Sequence, residues 1–538
     1  MISDEYISAV DLAADIKDMK VSPSEVIEET IKAIDERNPS INAFVYTNYD
    51  EARAKAREED DKLTRGEAHG AFFGIPTAAK DFIPGIPGWP GTTGGVKALS
   101  HMIDDHWGSY TGAMNDEGAI MIGKTNAPSF AFRGTTDNKM FGPTSTPFKP
   151  GYNSGGSSGG SAAAVSDGIL LIAEGSDGGG SIRIPSAWCG CYGFKPGNGT
   201  VGGAPRPNAY GTCHPYCFPG SISRGVKDAA YALQAMAGYD PFDPNSIDFG
   251  DRDYVAALDK SIEGMRVGFT PDFGIFPVEP EIAAMCEAAA AKFEDAGAIV
   301  EPVSFDFKRS AFELAESWCR MITISGGLGS VEEIKAMGID LLRDHADDLP
   351  DEFIWWVEDS YKRGYVDFHD DEVIRTEVFD QIQGAFQDYD LIVSPTTACH
   401  PVKNDANRNT LGPAKICGVK SDPLCGFGLT FFCNFTGNPA ASIPAGLSEE
   451  GFPVGLQLIS RRFGELDLIA ASAAYERVNP WRGMYDVTAR HMKHLGRSPY
   501  RRFSRVSRHY PRALPIVLPV YIRRIRRFRP KASPVVFR

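Results

Sequence analysis

The sequence predicts an α/β fold built around a mixed β-sheet. Three observations carry that prediction. Short apolar runs of strand length alternate with segments of helical period along residues 1–482. No internal repeat and no linker-like stretch interrupts them. The composition, 43% hydrophobic and 23% charged, is that of a globular enzyme with a large core. Residues 1–482 are expected to form one large domain, followed by a basic Arg/Pro-rich tail over 483–538 that is peripheral or disordered.

The elements follow in order. Ser22-Pro23-Ser24-Glu25 is a capping box with proline at the first helical position, and Ile27, Ile31 and Ile34 form a stripe at helical spacing. Asn38-Pro39 is expected to stop that helix. Residues 43–46 read as a strand and 50–65 as an exposed helix rich in Ala, Glu, Lys and Arg. Residues 74–82, GIPTAAKDF, are an apolar approach that delivers Lys80; alone, this segment reads as a surface lysine at a strand end. A Pro/Gly-rich loop, a buried strand over 118–123 and a polar, turn-rich stretch over 134–152 come next.

Residues 151–199 then hold two glycine-serine clusters, GGSSGGS and GSDGGGS. Such clusters are common in linkers. Here they are separated by Ala162-Ala163-Ala164-Val165 and Ile169-Leu170-Leu171-Ile172-Ala173, core-forming runs that no linker needs. The reading is a small-residue helix over 161–168, a buried strand over 169–174, a tight turn over 175–181, and a helix from Ser181 through Trp188. A strand, a glycine turn, a serine and a helix N-terminus in that order aim backbone N–H groups and a helix dipole at one hydroxyl. Phosphates are cradled by similar turns, but neither GxGxxG nor GxxxxGK[ST] is present.

Further on, 265–270 and 298–303 read as strands around a helix over 279–296, and 311–386 as a helical region unusually rich in aromatics. Trp318, Trp355, Trp356, Tyr361 and Tyr365 in that region read more readily as core than as substrate pocket. A buried strand over 391–394, closing strands within 434–444 and 453–459, and a helix over 466–477 complete the alternation.

Charge is distributed unevenly. From Arg490 to Arg538 there are fifteen Lys/Arg and no Asp/Glu, which leaves 40 basic and 70 acidic residues in the body. Such a body does not bind nucleic acid broadly, so any contact with an anionic surface falls to the tail. Ten scattered cysteines, an acidic N-terminus without a signal-like apolar region and no membrane-length apolar run fit reduced thiols in a cytoplasm. Cys213-His214-Pro215-Tyr216-Cys217 resembles half of a metal site, but nothing completes it at finger-like spacing, and no metal is expected.

A serine nucleophile needs a base. No histidine among His69, His101, His106, His214, His369 and His400 sits in a glycine-strapped context, and there is no GxSxG elbow. The alternative is a lysine kept neutral by burial. Its pKa must fall from about 10.4 to roughly 7–8, on the order of 3–5 kcal/mol of differential solvation.

Lys80 in GIPTAAKDF, Ser157 in GGSSGGSAAAV and Ser181 in GSDGGGSIRIPS together resemble the amidase signature family of Ser-cisSer-Lys amide hydrolases. GKTNAPSFAFRGTTDN, TGNPAASIPAG and GFPVGLQLIS extend the resemblance in order, over roughly residues 7 to 482. The resemblance implies a single α/β/α sandwich with a mixed sheet and, with no cofactor, hydrolysis of a small-molecule carboxylic amide through an acyl-enzyme. The glutaminase (A) subunit of a tRNA-dependent amidotransferase is the alternative, and a homodimer is a further expectation. Carried over, Ser181 is the nucleophile, Ser157 the proton relay after a cis Gly156–Ser157 bond, and Lys80 the ultimate base. Gly178, Gly179 and Gly180, with Ser181, would supply N–H groups to an oxyanion hole, and Asp177 and Arg183 would brace the loop.

Three positions depart from the family pattern. Gly178 stands where threonine is frequent, Ser129 where an acidic residue is common, and Lys195-Pro196-Gly197-Asn198 differs after Lys-Pro. No triad position is lost, so the departures bear on substrate preference.

Overall fold

The computed structural model describes residues 8–486 apart from 83, 84, 204, 205, 207 and 211–215. The basic tail beyond residue 486 and the Cys213-His214 pair lie outside the described residues; Tyr485, placed in the tail by the sequence reading, is buried and donates to the Gly190 carbonyl. Eleven strands organise the chain: β1 (Phe44–Thr47), β2 (Pro76–Lys80), β3 (Ile120–Thr125), β4 (Ile172–Asp177), β5 (Tyr192–Lys195), β6 (Phe218–Ser223), β7 (Arg266–Phe269), β8 (Ile299–Pro302), β9 (Leu391–Pro395), β10 (Ala440–Leu447) and β11 (Pro453–Ser460). Eight of them form a mixed sheet in the order β8-β7-β9-β11-β10-β5-β6-β4. β7 pairs parallel with β8 and β9, and the remaining neighbours pair antiparallel. A separate ladder, β1-β3-β2, lies beside the β4 edge.

Side chains stitch the two sheets where no backbone ladder joins them. Thr77 on β2 donates to the Ile172 carbonyl at 3.0 Å, and the Lys80 N–H donates to the Glu174 carboxylate at 2.8 Å. Every residue of β2 and β4 is buried, so this seam is shielded from solvent on both faces.

The helix Gly159–Asp167 is likewise buried along its whole length. Its run of small residues has a steric reason. A Cβ on Gly160 would stand 2.6 Å from the Ala43 carbonyl oxygen and would overlap the Asn126 backbone, so only a bare backbone fits against the end of the β1–β3 ladder.

Several boundaries differ from expectation. The helix that begins at Ser22 runs through Pro39 to Ile41, because a proline in the last turn costs only one bond and Asn42 then closes the helix in a left-handed conformation. The strand placed at 169–174 is shifted to Ile172–Asp177, and the tight turn shrinks to the glycines after Asp177. The closing strand expected within 434–444 begins only at Ala440, after a short helix over Phe432–Thr436. β5, β6 and the helix Val226–Met236 are additions to the expected elements; strands as short as Tyr192–Lys195 give little periodicity to read. No helix among the described residues is long and apolar enough to cross a membrane.

Candidate active site

The seam between β2 and β4 delivers the lysine. Lys80 ends β2, is completely buried, and its Nζ lies 2.7 Å from Ser157 Oγ and 2.9 Å from Ser176 Oγ. The surface-lysine reading therefore gives way to a lysine aimed at two hydroxyls. Ser176 is not among the residues that the sequence motifs single out. Alternation along β4 puts Glu174 and Ser176 on one face, and both meet Lys80, one at its backbone and one at its ammonium. Burial pushes the Glu174 carboxyl up to about 7, against the opposing pull of the Lys80 N–H and the Lys80 and Lys124 charges.

Ser157 follows a cis peptide bond from Gly156 and is 1% exposed. A Cβ on Gly156 would lie 2.6–2.8 Å from the Thr135 backbone, which explains the glycine before the serine. Ser158 N–H donates to the Ser181 carbonyl at 3.1 Å and links the two glycine-serine loops.

The second loop is organised on Asp177. Its carboxylate accepts from Gly180 N–H at 2.7 Å, from Ile182 N–H at 3.1 Å, and from Arg183 Nε and Nη2 at 2.9 and 2.8 Å. Arg183 continues to the Thr430 carbonyl, Gln457 Oε1 and Asn434 Oδ1 at 2.7, 2.6 and 2.8 Å. Both members of the pair are fully buried. Burial alone would raise the Asp177 carboxyl, yet the adjacent guanidinium holds it well below the usual carboxylate range.

Beside this loop lies a narrow, partly open cavity of about 50 Å³. Gly178, Gly179, Ser157, Ser176 and Ser181 line it, and Phe82, Phe130, Phe132, Trp318, Ile322 and Phe353 give it an apolar wall. Of the residues 311–386, Trp318 thus faces the cavity, Trp356 is core, and Trp355, Tyr361 and Tyr365 are exposed. No described histidine lines the cavity; His400 instead bonds Glu281 at 3.1 Å.

The loop glycines are not equivalent. The N–H groups of Gly178, Gly179 and Ser181 have no hydrogen-bond partner among the described residues. Gly180 departs from expectation: it does not line the cavity, and its N–H is committed to Asp177. A Cβ on Gly178 would meet Cys217 Cβ, Cys217 Sγ and Ile322 Cδ1 at 3.9 Å, ordinary contact distance, so a small side chain fits there without a clash. Ser129 is buried and donates to the Gly94 carbonyl at 3.1 Å. Lys195 is buried over the Phe218 ring, and burial with the nearby Arg183 charge lowers its pKa to about 7; the Gly197 N–H that follows it donates to Glu465 at 3.0 Å.

A buried lysine on a hydroxyl pair, beside free amides at the edge of an apolar cavity, is machinery suited to acyl transfer. The comparisons with known proteins agree. The Amidase family model matches residues 25–469. An acylamidase of Rhodococcus erythropolis is 34% identical over 479 residues, covering 88% of this chain and 96% of that protein. The crystal structure of a bacterial aryl acylamidase of the amidase signature family superposes with a TM-score of 0.88 at 42% identity, covering 90% of this chain and 99% of the other. The A-subunit of the glutamyl-tRNA(Gln) amidotransferase of Thermosynechococcus vestitus is 32% identical over 479 residues, with 86% and 95% covered. The chain is an amidohydrolase acting on linear carbon–nitrogen bonds. It belongs to the amidase signature family.

Proposed function

We propose that the chain hydrolyses amides bearing an aromatic or other bulky apolar group, through an acyl-enzyme on Ser181. The observation that carries this reading is the contact of buried Lys80 Nζ with Ser157 Oγ, 2.7 Å, beside a cavity that also holds Ser181. Neutral Lys80 accepts the Ser157 proton as Ser157 takes the proton of Ser181. Ser181 Oγ bonds to the amide carbon, and the carbonyl π pair moves onto oxygen. The N–H groups of Gly178, Gly179 and Ser181 receive that oxygen, each donor contributing about 3–4 kcal/mol. The tetrahedral intermediate collapses, the C–N bond breaks, and Ser157 returns a proton to the leaving nitrogen. Water then adds to the ester, the same relay accepts its proton and hands it to Ser181 Oγ as that C–O bond breaks, giving acid and free enzyme. Asp177 and Arg183 act by holding the loop.

The six-residue apolar wall favours an apolar amide over glutamine, in keeping with the acylamidase relatives. The test is a panel of anilides, aliphatic primary amides and glutamine, assayed with wild type, Ser181→Ala and Lys80→Ala. Anilides are expected to turn over best, Ser181→Ala to lose at least about 10⁴-fold, and Lys80→Ala to lose most activity at pH 7. Undiminished turnover by Ser181→Ala would overturn the assignment, and turnover of glutamine alone would favour the amidotransferase reading.

A further inference from the structure

A trans peptide unit is planar, with its carbonyl and the following N–H pointing in opposite directions. Fixing one fixes the other. Four successive carbonyls of the nucleophile loop are held from outside. Asn434 Nδ2 donates to the Asp177 carbonyl at 2.8 Å, Trp318 Nε1 to Gly178 at 3.0 Å, Thr430 Oγ1 to Gly179 at 2.6 Å, and Ile184 N–H to Gly180 at 2.7 Å. The amides of Gly178, Gly179, Gly180 and Ser181 are thereby turned the other way. Three of them are left at the cavity without a partner among the described residues, and the fourth is taken by Asp177.

Trp318 has a second hold on the same unit. A Cβ on Gly179 would overlap its indole, so ring and glycine are in direct packing contact. We propose that Trp318 is a positioning residue of the oxyanion hole. Its indole N–H holds the Gly178 carbonyl away from the cavity and so aims the Gly179 N–H at the developing oxyanion. This rests on the reading of Ser181 given above. Asn434 does the same for the Gly178 N–H through the Asp177 carbonyl, whereas Thr430 fixes the unit whose amide Asp177 takes.

The role separates from simple lining of the pocket. A lining residue sets KM for bulky substrates, whereas a residue that aims an oxyanion donor acts on kcat and on tetrahedral adducts. The experiment replaces Trp318 by β-(3-benzothienyl)alanine, which keeps the ring and deletes the N–H, with Trp318→Phe as a second variant. On an anilide, the expected result is a fall in kcat of about 10-fold or more with KM within about 2-fold. Affinity for phenylboronic acid, which forms a tetrahedral adduct on serine, should fall by a similar factor, with thermal melting unchanged. Trp318→Phe should lower kcat similarly and also shift KM, because the cavity changes. Wild-type kcat and boronate affinity in the benzothienyl variant would overturn the proposal while Ser181→Ala stays inactive. An active Ser181→Ala would instead remove the reading on which it rests.

Discussion

The two glycine-serine loops are held in different ways. Around Ser157 the glycines meet neighbours from the first third of the sequence: Gly156 abuts the Thr135 backbone, Gly160 abuts Asn126 and the Ala43 carbonyl, and Gly159 abuts the Ser154 and Thr136 side chains. Around Ser181 the hold comes from side chains, and most of them belong to distant elements: Trp318, Thr430, Asn434 and Gln457. The first loop is held by close approach and hydrogen bonds of residues near it in sequence, among them Asn153 and Thr136, and the second by hydrogen bonds that reach across the chain. The first arrangement fixes where a hydroxyl sits. The second fixes which way successive amides point.

If directed polar contacts hold the nucleophile loop, removing the charge at their centre should have the largest effect. Arg183→Leu leaves Asp177 buried and unpaired, and about 3–5 kcal/mol of stability should be lost. Equilibrium urea unfolding measures it, and a loss under about 1 kcal/mol would mean that packing, not charge, shapes this loop. Loss of amidase activity should accompany the loss of stability.

The seam beside the relay loop can be probed by pH. Glu174 has its carboxyl raised to about 7 in the fold from an ordinary 4.5, so the native state binds more protons than the unfolded chain between those values. Stability from this group is therefore complete below about pH 4.5 and declines as pH rises through 7, by on the order of 3 kcal/mol at full ionisation. Glu174→Gln removes the titration and can still accept the Lys80 N–H. Its melting temperature relative to wild type should rise from pH 5 to pH 8, and a pH-independent difference would contradict the argument.

Gly178 should give the smallest effect, because it is the loop glycine with room around it. Its φ is not in the left-handed region, and no atom lies within 3.9 Å of the Cβ position. Gly178→Ala should change stability by no more than about 0.5 kcal/mol, yet raise KM for a bulky anilide a few-fold while sparing a small amide. Equal effects on both substrates would show that the space at Gly178 is not used.

Lys80, Ser157 and Ser181, the proposed triad, stand out in the sequence because each sits in a local context that packing alone does not require: an apolar approach to a lysine, and glycines around single hydroxyls. Ser176 and Glu174 were within reach, since strand alternation from Asp177 puts both on the face opposite to it. Trp318, Thr430 and Asn434 were not. They act across 140–257 residues of chain and carry no local mark of it. Treating Gly178, Gly179 and Gly180 alike failed because neighbouring peptide planes turn independently, and Asp177 claims the amide of Gly180. The alternation of strands and helices foretold a mixed sheet, but strands buried on both faces left the order β8-β7-β9-β11-β10-β5-β6-β4 unreadable.

The dependence of Ser181 on the far end of the chain bears on how the enzyme comes into being. Lys80, Ser157 and Ser181 have all left the ribosome long before Thr430, Asn434 and Gln457 are made, and the contacts of Arg183 with those three residues close loops of 247 to 274 residues. Closures of that span form late. On the proposed roles, a nascent chain carries Lys80, Ser157 and Ser181 for roughly half of its synthesis without the amides aimed to use them, and hydrolytic competence is expected to arrive with the last strands to dock.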